Sequence, residues 1–147
     1  MDYKYRIPVD EKYLLAIGRA TYNFTYLEKI IIDIIVKISP RGHDAIPAKA
    51  TGGTICKTLE QLIPASHADI KADLTSIHLS FKNAIDNNRN KLLHAHPYTS
   101  IDGEQQIGYS DKDLTIESIY QVAKEFELIA IDASKLYHDK IVKLATK

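Results

Sequence analysis

Apolar residues recur along the first third of the chain at Ile17, Ala20, Phe24, Leu27, Ile31, Ile34 and Ile38, in alternating steps of three and four. That is the period of one helix face, so the spacing predicts a long amphipathic helix. Asp10 is placed to cap its start. Ile30 and Ile35 widen the stripe, which suits a central position in the fold. The run Ser39-Pro40-Arg41-Gly42 closes it, because proline disfavours helix at the residue before it and glycine breaks the pattern.

The segment HDAIPAKATGG reads as a loop, followed by a short helix from about Thr54 to Ile63 that Pro64 stops. Ser66, with Asp69 three residues later, resembles a capping box and opens another helix. Its stripe is Ile70, Leu74, Ile77, Phe81, Ala84/Ile85, Asn88, Leu92 and Ala95, and Pro97 ends it. About 30 residues at 1.5 Å each make this element about 45 Å long. Asp102-Gly103, between short stretches holding Tyr and Ile, signals a β-hairpin over about residues 98–109, with Tyr98 and Tyr109 pairing across it. Thr115 caps the last helix, whose stripe runs Ile116, Ile119, Ala123, Phe126, Ala130, Ala133, Tyr137 and Leu144. The fold class expected is therefore all-α: an antiparallel bundle of three long helices plus one short helix, with a small hairpin insertion, in one domain spanning residues 1–147.

Composition narrows the function. Of 147 residues, 45% are apolar and 26% charged, ordinary for a globular protein. Lys plus Arg equals Asp plus Glu at 19 each, which argues against binding nucleic acid through bulk charge but leaves room for a local phosphate site. The single cysteine, Cys56, excludes an intrachain disulfide and reads as a small buried apolar residue. The opening residues MDYKYRIPVD lack the apolar core of a targeting signal, and no run approaches the 20 or so residues of a membrane span. A cytoplasmic protein without membrane contact is expected.

One stretch concentrates chemistry: RNKLLHAHP, Arg89 to Pro97, at the end of the third helix. Asn88 falls on an otherwise apolar stripe and must find a hydrogen-bond partner or stay in contact with water. Asn90 and His94, four apart, share a face. Arg89 and His94, five apart, are separated by about 140° around the axis, so one helix does not bring them together well. Two copies facing across a two-fold axis would. Arginine offers a planar fork that matches phosphate oxygens, and histidine exchanges protons near neutrality. With Asn90 to orient them, these are the minimum for RNA cleavage without metal: a base for the 2′-OH, a cation for the phosphoryl charge and an acid for the leaving oxygen. Cations at a helix C-terminus also stabilise the helix dipole, which alone can account for their presence.

The motif resembles the R-x4–6-H signature of HEPN domains, small helical domains common among prokaryotic ribonuclease toxins and abortive-infection proteins. Arg89-x4-His94 matches, with Asn90 as the polar residue after the arginine, and Arg89-x6-His96 fits the looser form. The stretches GRATYNFTYLEKIIIDIIVKISP, TGGTICKTLEQL and VAKEFELIAIDASKLYH are similar to small bacterial proteins of this type. The resemblance implies a homodimer, an active site where two motif copies meet, metal-independent endoribonuclease activity with no cofactor, and a toxin or antiviral-defence setting with an antitoxin partner. Toxins regulated by nucleotidylation often carry a tyrosine two residues after the histidine. Here that residue is His96, and the nearest tyrosine is Tyr98.

Around this core, Glu28 has no cation three or four residues away on its own helix, which frees it to pair with Arg89. Lys57, after Thr51-Gly52-Gly53-Thr54, is a candidate contact to RNA phosphate, although the P-loop spacing is lacking. Tyr98 could stack a base. His94 and His96, two apart on a helix, point about 200° from each other and do not chelate a metal. The catalytic candidates are thus Arg89, His94 and Asn90, supported by His96 and Glu28. The alternative is a non-catalytic HEPN-like module that binds nucleotide, RNA or protein through the same cleft.

Overall fold

The computed structural model describes residue 7, residues 10–109 and residues 112–145. Most of the opening segment read above for a targeting signal lies outside them. The fold is mostly helical, with a small antiparallel sheet between the last two long elements.

Helix α1 runs Glu11–Ile38, capped by Asp10, whose carboxylate accepts from the Lys12 backbone N–H at 2.8 Å. Helix α2 is Gly52–Leu62 and begins two residues before the expected Thr54. The reason is the cap: the Thr51 hydroxyl accepts from the Thr54 N–H at 3.3 Å, which brings both glycines into the first turn. Helix α3, Ala68–Asn83, starts after His67 rather than at Ser66. Ser66 is spent on the previous helix, donating its hydroxyl to the Leu62 carbonyl at 2.8 Å, and the His67 Nδ1 accepts from the Asp69 N–H instead.

Two features are absent from the sequence reading. The third helix is not regular: α3 passes into a π-helical turn, Ala84–Arg89, before continuing as α4, Asn90–His94. The last helix, α5 (Ile116–Leu136), likewise passes through a π turn, Tyr137–Ile141, into α6 (Val142–Ala145). The sheet has three strands, not two: β1 (His96–Thr99), β2 (Gln105–Tyr109) and β3 (Lys112–Leu114) in the order β1-β2-β3. Gly103, with φ +83°, makes the turn between β1 and β2. Tyr98 pairs with Gln106 and Tyr109 with Lys112, so the expected Tyr98–Tyr109 cross-strand pair does not form. Tyr98 instead reaches over Gly108 and donates its hydroxyl to the Asp113 carboxylate on β3.

Contacts give the helix directions. Arg19 meets Tyr120, Asn23 meets Ala123 and Phe24 meets Phe126, so α1 and α5 run side by side in the same sense. Asp73 meets Lys140 and Asn88 meets Glu125, so α3 runs against α5. The antiparallel expectation thus describes α3 and α5, while α1 and α5 are parallel neighbours.

Phe24 is the hub. Its ring stacks on Phe81 of α3 at 6.2 Å and meets Phe126 of α5 edge-on at 5.2 Å. Leu27, Ile31, Ile34, Ile55, Leu59, Leu74 and Ile119 are buried in the same core. Each such side chain contributes about 1.5–3 kcal/mol through burial. This packing fixes the position of whatever leans on Phe24.

Candidate functional site

Arg89 leans on it. Its guanidinium carbon lies 5.5 Å from the centre of the Phe24 ring, a cation–π approach, and its Nη1 donates to the Asn90 Oδ1 at 3.3 Å. A regular helix would put Asn88 on the inward stripe. The π turn adds about one residue to the circuit, marked by the Asn90 N–H reaching back five residues to the Ile85 carbonyl. Arg89 takes the inward place over Phe24, and Asn88 swings toward α5, where its Nδ2 donates to the Glu125 Oε2 at 2.6 Å. Asn88, Arg89 and Asn90 are all half-buried as a result, three consecutive polar residues at the seam of the bundle. π turns of this kind occur preferentially at functional sites.

Glu28 lies one helical turn beyond Phe24 on α1, half-buried. Burial pushes its carboxyl above the ordinary carboxylate value, and the nearby Arg89 charge pulls it back in part. The two do not form a close ion pair: none of the four ion pairs among the described residues includes Arg89 or Glu28. Gly52 packs against the Glu28 carboxylate, where a Cβ would come within 3.4 Å of Oε2 and 3.5 Å of the Ile85 Cδ1. Glu28 therefore acts on Arg89 through its field, from a site bounded by the first turn of α2.

The remaining candidates stand at the surface. The His94 and His96 side chains are exposed and make no hydrogen bond, ion pair or ring contact among the described residues. Lys57 is exposed on α2. The Tyr98 hydroxyl is taken by Asp113, and that hydrogen bond first, then desolvation, raises its pKa. The chain thus brings Arg89, Asn90 and Glu28 near one another and leaves His94 outward. Among the described residues, no group of three or more His, Cys, Asp or Glu side chains could hold a metal ion. No described helix is long and apolar enough to cross a membrane.

Glu125 joins this cluster as the acceptor of Asn88. It sits between Ala123 and Phe126 at the edge of the α5 stripe, and its partner belongs to another helix, so no local spacing marks it. A groove of about 300 Å³ opens elsewhere, between α3 and the end of α5, lined by Asp73, Ser80, Asp132, Lys135 and Lys140 among others. It contains none of the motif residues. Its surface carries mixed charge, with Lys140 already paired to Asp73 at 2.6 Å.

No protein-family model, no curated protein and no solved structure matches the chain.

Proposed function

We propose that the protein is a HEPN-type endoribonuclease that works as a homodimer and needs no metal, with Arg89, Asn90 and His94 as its catalytic set. The observation that carries this reading is the state of Arg89: a cation steadied by Phe24 and Asn90 yet paired with no carboxylate among the described residues. An arginine that forms no close ion pair at a half-buried position retains free N–H donors for a phosphodiester.

In this reading Arg89 holds the scissile phosphate and stabilises the charge that builds on its oxygens. His94 of one subunit takes the 2′-OH proton as the oxygen attacks phosphorus. The bond to the 5′ oxygen breaks, and the same imidazole returns its proton to that oxygen through water, leaving a cyclic phosphate and a 5′-hydroxyl. The exposure of His94 fits a role completed by a second copy. His96, Lys57 and Tyr98 would support the RNA around this centre. An antitoxin partner and a role in antiviral defence belong to the same proposal.

Incubating RNA with the protein in EDTA tests it, with Arg89→Ala and His94→Ala in parallel. Cleavage by the wild type that both substitutions remove supports the assignment. Equal residual activity in all three rejects it. Saturable RNA or nucleotide binding without turnover favours the binding module instead.

A further inference from the structure

The π turn carrying Arg89 is an unfavourable backbone choice unless something compensates it, since a π helix is rare where an α helix can form. Two contacts are in place to do so. Arg89 rests on Phe24, and Asn88 donates to Glu125 at 2.6 Å. The second is a charge-assisted bond in a half-buried setting, roughly twice as strong as a neutral one. Without it the Asn88 amide has no partner on α5, and the turn gains nothing by staying wide. Relaxation to α geometry returns Asn88 to the inward stripe and turns Arg89 by about 100°, the angle of one residue.

We infer that Glu125 is a positioning residue: through Asn88 it holds the Ala84–Arg89 turn open and so aims the Arg89 guanidinium. Its carboxylate touches neither Arg89 nor the proposed substrate and acts from α5 through the bond to Asn88. The rest of the aiming set is Phe24 and Asn90, whose contacts are lost together when the turn closes. The functional consequence rests on the ribonuclease reading, but the geometric one does not.

The experiment therefore has two readouts. Arg89 side-chain protons near the Phe24 ring should carry an upfield ring-current shift in the NMR spectrum of the wild type. Glu125→Ala should move those resonances toward ordinary arginine values. Glu125→Gln, which retains an oxygen to accept from Asn88, should leave them close to the wild type. Asn88→Ala should reproduce Glu125→Ala, which keeps the test open if one variant fails to fold. For RNA cleavage, Glu125→Ala should lower kcat by roughly tenfold to a hundredfold, the scale of an ångström of misplacement, with KM little changed. Unmoved Arg89 resonances in both alanine variants overturn the positioning role, whatever happens to cleavage. Moved resonances in a protein whose wild type cleaves no RNA support the positioning role and reject the ribonuclease reading.

Discussion

The two π turns use one backbone device for opposite ends. Ala84–Arg89 carries polar residues into the bundle seam, where each takes a partner from a different helix or neighbour: Asn88 from α5, Arg89 from α1, Asn90 from Arg89. Tyr137–Ile141 does the reverse. It buries Ile141, 2% exposed, and turns His138, Asp139 and Lys140 outward, with Lys140 pairing Asp73 at the surface. The second turn serves packing. The first places a cation beside Phe24, where packing alone would favour an apolar side chain, and the proposed function gives that cation a use.

Substitutions should separate the two. Ile141→Ala should cost about 2–5 kcal/mol in denaturant unfolding, as a buried aliphatic truncation does, with cleavage by the folded fraction retained. Arg89→Ala should show the opposite pattern, a loss of cleavage on the order of 10²–10³-fold. Its stability change should stay near the ~0.5–1 kcal/mol of an exposed or half-exposed cation–π contact. If Arg89→Ala unfolds the protein as severely as Ile141→Ala, the first turn is structural too and the contrast fails.

Acidity sharpens the comparison, because Glu28 belongs to the first turn's surroundings. Its carboxyl is raised by burial, so the folded chain holds that proton more tightly than the unfolded chain. This favours folding below the ordinary carboxylate value and is lost as pH rises through the elevated one. Glu28→Gln removes the dependence. Its melting temperature relative to the wild type should therefore be higher at pH 7 than at pH 4. An unchanged difference across that range would mean that the carboxylate is solvated in both states.

The smallest effect expected is at Cys56. It is buried, and desolvation followed by Asp86 and Glu60 raises its thiol pKa, with Lys82 opposing. The native protein should react with iodoacetamide far more slowly than the unfolded one at neutral pH. Rapid native labelling would place Cys56 at an open surface.

The sequence makes some of this legible and hides the rest for identifiable reasons. Helix α1 follows its three-four spacing from the Asp10 cap to Ile38, since a long stripe buried by several partners overrides local noise. Thr115 caps α5 as read, its hydroxyl accepting from the Ser118 N–H at 3.0 Å. The π turns are invisible, because one extra residue per turn leaves the apolar spacing compatible with a regular helix. Strand β3, Lys112–Leu114, is too short and too polar to show alternation. At the site, Arg89 and Asn90 are adjacent in sequence and readable. The sequence offers Glu28 as a partner for Arg89, and the carboxylate lies near it without a close ion pair. Glu125 required the third dimension, since only helix packing brings residues 88 and 125 together.

Mixing Arg89→Ala with His94→Ala under conditions that exchange subunits measures the proposed shared site most directly. Half of the dimers are then mixed, and each holds one complete pairing of Arg89 from one chain with His94 from the other. RNA cleavage in EDTA should return to roughly a quarter of the wild-type rate, from two variants that are each inactive alone. A mixture as inactive as its components, beside a wild type that cleaves, would contradict a site built from two subunits.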